Sequence, residues 1–209
     1  MKCKLCNNRV RKRKDRPRYY QCPVCDLIFL DRKFILDKEE EKDRYSQHNN
    51  TCENEGYVNM FRDFIDKTII PYREDIDSAL DFGCGPGPVL AQLLIDMGIK
   101  TDIYDPYFYP DQVYQENKYD LITSTEVFEH LQHPYEIIIK LKKHLKAGGI
   151  LAVMTRLHDN VDQFSNWWYL KDPTHITFYS SETFDWIAEN LSFDLTYCDN
   201  DRTVVLKKE

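Results

Sequence analysis

The stretch Ser78-Ala-Leu-Asp81-Phe-Gly83-Cys84-Gly85-Pro-Gly87, followed by Leu90-Ala-Gln-Leu-Leu-Ile-Asp-Met97, decides the architecture. The apolar run Ser78–Phe82 predicts a strand, 90–97 predicts a helix, and the glycines between them predict a sharp turn. A glycine-rich turn joining a parallel strand to its helix lies at the carboxyl edge of an α/β sheet, where the backbone can touch a bound ligand. Glycine is scarce elsewhere. Of the seven in 209 residues, five sit at positions 83, 85, 87, 148 and 149. Glycine concentrated in this way marks backbone that must adopt conformations other residues avoid.

Working outward, Thr101–Tyr104 predicts a second strand, with Asp105 at its end. A carboxylate at that place can accept both hydroxyls of a ribose. The dinucleotide pattern G-x-G-x-x-G would need glycine at 88, where this chain has Pro88. Further strands are expected from Tyr119 to Thr125 and over Ile150–Met154. Between them a helix opens at His133-Pro-Tyr, with Ile137, Ile138, Leu141 and Leu145 on its apolar face and Gly148-Gly149 at its end. Phe193–Tyr197 and Val204–Lys207 predict a closing antiparallel hairpin. Upstream, Tyr57, Val58, Phe61, Phe64, Ile65 and Ile69 are spaced for an amphipathic helix on the sheet. The whole predicts an α/β fold with a doubly wound, mostly parallel sheet. Because few residues separate Asp105 from Tyr119, the third helix–strand unit is expected to be short or absent.

The N-terminal segment reads differently. Cys3-x-x-Cys6 and Cys22-x-x-Cys25 form two knuckles of the kind that aim four thiolates at one zinc ion. The alternative is a pair of structural disulfides. MKCKLC carries no apolar leader and no apolar run approaches the roughly 18 residues that cross a bilayer, so a cytoplasmic, reducing setting is expected and zinc is favoured. Net charge is −7, yet residues 1–33 hold 11 basic against 3 acidic side chains, leaving 17 against 32 in the rest. Hence three parts are expected: a zinc ribbon over 1–33, a linker and lid over 34–56 (with Tyr45 and His48 in its loop), and an α/β domain over 57–209. The basic run from Arg9 to Arg18 reads as the tip of a two-stranded turn, able to contact phosphates or merely to offset the zinc thiolates. Tyr19 and Tyr20 suit either a strand or base stacking.

The pattern D-x-G-x-G-x-G, with Asp105 after it, Glu126-Val-Phe-Glu129-His130-Leu and Leu145-Lys-Ala-Gly-Gly149 in order, resembles the class I S-adenosylmethionine (SAM)-dependent methyltransferases. The resemblance covers roughly 45–209. It implies that Asp81, Gly83, Cys84, Gly85 and Gly87 cradle the methionine part of the cofactor and that Asp105 holds its ribose. It also assigns Thr125 and Glu126 to the cofactor pocket. Glu126, Glu129 and His130 are expected on one helix face, joined by His175 from Trp167-Trp-Tyr-Leu-Lys-Asp172-Pro-Thr-His175. Two carboxylates and two imidazoles suit either metal-free acid–base work or a second divalent metal. This set is similar to the E-x-x-E-H…H site of small-RNA 2′-O-methyltransferases and, in part, to quinone-biosynthesis O-methyltransferases. Trp167, Trp168, Tyr169, Phe178 and Tyr179 form a candidate aromatic wall, with buried packing as the alternative. The expectation is methyl transfer to an oxygen or nitrogen of a small-molecule acceptor. The alternatives are RNA anchored by the basic ribbon, and a non-catalytic SAM-binding scaffold.

Overall fold

The structure, a computed structural model, describes residues 1–37, 39–41, 44, 54–159 and 164–209. Tyr45 and His48 lie outside the described residues. The chain begins with three short antiparallel strands, β1 (Arg11–Lys12), β2 (Tyr19–Gln21) and β3 (Ile28–Leu30). The two Cys-x-x-Cys turns close identically: Asn7 and Asp26, each following its second cysteine, take positive φ of 59° and 55°. Their amides return to the carbonyls of Cys3 (3.2 Å) and Cys22 (3.1 Å). Asn and Asp tolerate that left-handed conformation better than other side chains.

Helix α1 (Glu55–Thr68) starts at Asn54, whose side chain accepts from the Tyr57 amide. There follow β4 (Ser78–Phe82), α2 (Val89–Asp96), β5 (Lys100–Tyr104), β6 (Tyr119–Thr125), α3 (Pro134–His144), β7 (Leu145–Met154), β8 (Thr177–Phe178), α4 (Ser181–Leu191), β9 (Phe193–Cys198) and β10 (Thr203–Lys208). The main sheet has the order β5-β4-β6-β7-β10-β9, with parallel pairing as far as β7 and antiparallel pairing beyond. Successive strand residues face opposite layers. In β7, Ile150, Ala152 and Met154 join Phe61, Phe64, Val89 and Leu94 of α1 and α2. Leu151 and Val153 join Ile138, Leu141, Phe184 and Ile187 of α3 and α4. This is the doubly wound α/β sheet with closing hairpin that the pattern predicts.

Three local features differ from or sharpen the expectation. Gly148 and Gly149 do not end a helix: α3 stops at His144, and Leu145 already pairs with Tyr119. The glycines instead lie inside β7, where Gly149 runs so close to the Tyr119 and Asp120 carbonyls that a Cβ would come within 3.1 Å of both. The third helix is indeed missing, replaced by a 3-10 turn over Val113–Glu116. Its Tyr114 is fully buried, edge-on to Tyr104, Phe82 and His144, and fills the space of an absent helix. Finally, β8 leaves the α/β unit and pairs with β3, so the small sheet is β1-β2-β3-β8. Among the described residues no helix is long and apolar enough to cross a membrane.

Candidate active site

A cavity of about 690 Å³ opens along the carboxyl edge of β4, β5, β6 and β7. Its first half is the glycine turn. Gly83 and Gly85 take φ of +84° and +65°, and a Cβ on Gly83 would lie 2.2 Å from Cγ2 of Val127. Both glycines line the cavity, as do Asp81, Cys84, Asp105, Thr125 and Glu126. Gly87 stands outside the wall, and its carbonyl accepts from the Val89 amide at the start of α2. Asp105 is held from three sides: it accepts from the amides of Gly85 (3.1 Å), Tyr107 (2.8 Å) and Phe108 (3.1 Å). One carboxylate therefore shapes both the glycine turn and the loop after β5. Asp81 is buried, accepts from the Thr123 hydroxyl at 2.9 Å, and is pushed up to about 7 by burial. Burial also raises the Cys84 thiol well above its ordinary value, so it is no nucleophile at neutral pH.

The second half lies over the ends of β6 and β7. Here the expected helix face is corrected. Glu126, the residue after β6, takes φ of +53°, and only a single 3-10 turn, Phe128–His130, follows. The three side chains therefore do not line a helix face, although the Glu126 and Glu129 carboxyls remain in contact with each other. Glu126 meets the water of the cavity, yet the surrounding walls and the neighbouring Glu129 push its carboxyl up to about 8, against the opposing pull of Arg156 and Arg202. Glu129 turns inward and is completely buried, accepting from the hydroxyls of Thr155 (2.9 Å) and Tyr169. His130 lines the cavity and its Nδ1 donates to the Thr174 carbonyl at 2.9 Å. His175 lines it too, with Nδ1 donating to the Tyr169 carbonyl at 2.8 Å. The two imidazoles stand 4.9 Å apart, and the Tyr169 ring packs 4.0 Å from His175.

Anchoring Nδ1–H on a carbonyl fixes the tautomer and makes Nε2 the basic nitrogen in both rings. One ligand atom each of Glu129, His130 and His175 lies within 4.8 Å of the others; Glu126 is not in that group. The carbonyl under His130 is itself placed by a turn the sequence carries. Asp172 accepts from the Thr174 amide (3.0 Å) and hydroxyl (2.6 Å), and Arg44 reaches the same carboxylate at 2.8 Å. Burial opposes ionisation of Asp172, but these partners hold it below the usual carboxylate range. The Asp-Pro-Thr sequence is a turn signal that gives this role away. Nothing in the sequence marks Thr155 or Tyr107, whose places depend on distant strands. The aromatic wall divides: Trp168 and Tyr169 line the cavity, whereas Phe178 and Tyr179 are entirely buried and Trp167 packs on Phe178.

The four cysteines form a separate cluster. Their sulfurs all lie within 4.8 Å, with Cys3–Cys25 at 3.5 Å and Cys6–Cys22 at 3.3 Å, and all four are free thiols. Tetrahedral zinc with bonds of about 2.3 Å separates its sulfurs by about 3.8 Å, so the cluster fits the ion. The disulfide alternative is not realised.

A parallel sheet with a glycine turn after its first strand, an acid after its second and an antiparallel closing hairpin defines the class I methyltransferase fold. Solved structures share it. A SAM-dependent methyltransferase from Archaeoglobus fulgidus is 16% identical, with a TM-score of 0.55 over 82% of this chain and 100% of that one. Human N-acetylserotonin methyltransferase, crystallised with SAM, is 13% identical with a TM-score of 0.54 over 71% and 51%. The plantazolicin methyltransferase BpumL is 12% identical with a TM-score of 0.52 over 83% and 92%. At such identities the likeness is one of fold. No curated protein matches the chain. Residues 43–197 match the family Methyltransf_23, a methyltransferase domain, and the chain belongs to that family.

Proposed function

We propose that the protein transfers the methyl group of SAM to an oxygen or nitrogen of a small-molecule acceptor. The observation that carries this reading is a single cavity walled at one end by the glycine turn and Asp105 and at the other by His130 and His175. When bound, the cofactor supplies an electrophilic methyl on a sulfonium. Gly83 and Gly85 let the backbone close on it, and Asp105, already oriented by three amides, offers its remaining lone pairs to the ribose. Asp81 sits beneath the turn, and Thr125 and Glu126 edge the pocket where the two halves meet. In-line transfer needs little beyond alignment and exclusion of water, plus removal of a proton when the acceptor is a hydroxyl. Nε2 of His130 or His175 takes that proton.

A second reading rests on Glu129, a fully buried carboxylate with no cationic side chain among its hydrogen-bond partners. Buried carboxylates are paired or neutral. Glu129, His130 and His175 together would hold a divalent cation, which lowers the pKa of a hydroxyl bound to it.

The small-molecule reading is supported by the state of the ribbon. Arg13 covers Phe164 and binds Asp15, Arg16 binds the Ser165 carbonyl, and Arg18 covers Phe34. Tyr19 is buried. Three of the seven basic side chains of the run are thus engaged by the protein itself, whereas Arg9, Arg11, Lys12 and Lys14 stay exposed. Calorimetry should show SAM binding that Asp105→Ala weakens by about 30-fold or more, equivalent to roughly 2 kcal/mol. Labelled methyl groups should then pass to small molecules of a cell extract and not to its RNA. Unchanged SAM binding by Asp105→Ala would sink the cofactor reading. Label in RNA, with salt-sensitive binding lost in an Arg11, Lys12 and Arg13 triple alanine variant, would replace the acceptor class.

A further inference from the structure

The ribbon does not hang from the methyltransferase unit; it is built into the wall behind His175. The Ile176 peptide is the joint. Its N–H donates to the Glu129 carbonyl (2.8 Å) and its carbonyl accepts from the Leu30 amide (2.8 Å). The next two residues form β8, paired with β3 as Ile28↔Phe178 and Phe29↔Thr177. One residue of backbone therefore separates His175 from the ribbon sheet.

Side chains repeat the connection. Tyr19 of β2 is buried, with its ring 5.6 Å from Phe164 and 5.9 Å from Phe178. Phe178 touches Trp167 and Tyr169, and Tyr169 both packs on His175 and donates its hydroxyl to Glu129. Tyr19, Ile28, Leu30, Phe164, Tyr169, Ile176 and Phe178 make one cluster. His158, next to the end of β7, reaches the Asp26 carbonyl at 3.2 Å and clamps the second knuckle from the other side. A side chain packed this densely has few alternative positions.

We infer that the ribbon positions the acceptor half of the cavity, with Tyr19 as the positioning residue, and that its four cysteines, when they hold zinc, set the placement of Tyr169, His175 and Glu129 while leaving the cofactor half alone. The inference rests on the reading of His130, His175 and Glu129 as the acceptor end. The glycine turn and Asp105 follow β4 and β5 of the six-stranded sheet, whereas β3 and β8 pair with each other in the separate small sheet. A ribbon of so few residues draws its folding energy largely from the metal. Releasing the metal therefore frees the strand that holds Ile176.

The test is amide exchange on the full-length, zinc-loaded protein, followed by mass spectrometry, with zinc content and SAM affinity measured on the same samples. Tyr19→Ala should keep its zinc and raise exchange across 126–131 and 169–178 by about 10-fold, while exchange over 78–90 and SAM affinity stay within about 2-fold of wild type. Tyr19→Phe, which keeps the ring, should behave as wild type. Zinc removal by a chelator should affect the same two segments more strongly. Unaltered exchange at 169–178 in Tyr19→Ala and in the zinc-free protein would overturn the inference. So would a uniform rise across all segments with loss of SAM binding, since the ribbon would then support the whole fold without selectivity. Absence of SAM binding in the wild type itself would instead strike the cofactor reading.

Discussion

Gly83 has no room for a side chain. Its φ of +84° disfavours any L residue, and a Cβ would drive into Val127. Gly83→Ala is expected to cost on the order of 2 kcal/mol and to abolish SAM binding, read by thermal melting and calorimetry. Asp81 carries the opposite kind of tension, an acid kept from water. Its folded pKa is about 7 against 3.8 in an open chain. In that window the folded protein retains a proton the unfolded chain has lost, so stability falls as pH rises from about 4 to about 7 and levels off above. Asp81→Asn keeps the acceptor for the Thr123 hydroxyl without the buried charge. Cofactor-free Asp81→Asn should therefore be more stable than wild type at pH 8, by on the order of 2–4 kcal/mol, with the gap closing toward pH 4. A gap independent of pH would mean that Asp81 is already ionised in the folded state.

At the scale of elements, some segments carry their own instructions. Helix α4 begins at Ser180, whose hydroxyl accepts from the Thr183 amide while the Thr183 hydroxyl accepts from the Ser180 amide. Ser180→Ala should cost about 1 kcal/mol, measurable by denaturant unfolding, without altering SAM affinity. Other elements exist only because neighbours fill in. The 3-10 turn over Val113–Glu116 replaces a full helix by one ring, so Tyr114→Ala should remove about 3–5 kcal/mol and expose β5. The melting temperature would show it; a loss below about 1 kcal/mol would mean that the turn collapses to fill the gap. Strand β8 is the extreme case. Two residues long, with no alternating pattern of its own, it was not expected from the sequence and takes β3 as its strand partner.

At the scale of the whole molecule, the charge asymmetry survives but its meaning changes. The basic ribbon and the acidic α/β unit share one core: Cys3, Leu5, Cys22, Cys25, Leu27 and Phe29 pack in the same cluster as Phe128, Tyr179 and Phe184. Tyr179 and Phe128 are fully buried in it. A chain begun at residue 34 would present those rings to water, so it should aggregate more readily than the full chain, read by light scattering, while its soluble fraction still binds SAM. A truncated chain no more prone to aggregate than the full one would show that the ribbon merely rests on the fold.

The linear chain by itself determined the α/β class, the cofactor turn and the cysteine cluster, because each depends on residues close together: apolar runs, glycines two positions apart, paired Cys-x-x-Cys turns. Even the missing third helix was legible from the short spacing between Asp105 and Tyr119. The acceptor end was legible only as a set of names. Sequence spacing placed Glu126, Glu129 and His130 on a helix face, but the chain turns left-handed at Glu126 and goes on as a single 3-10 turn, so Glu126 and His130 line the cavity while Glu129 is fully buried. His175 stands beside His130 because β8 is captured by β3, a contact across nearly 150 residues whose hydrogen bonds no local pattern encodes. The chemistry of single residues is local. Where those residues meet is decided by long-range pairing, and that only the tertiary structure settles.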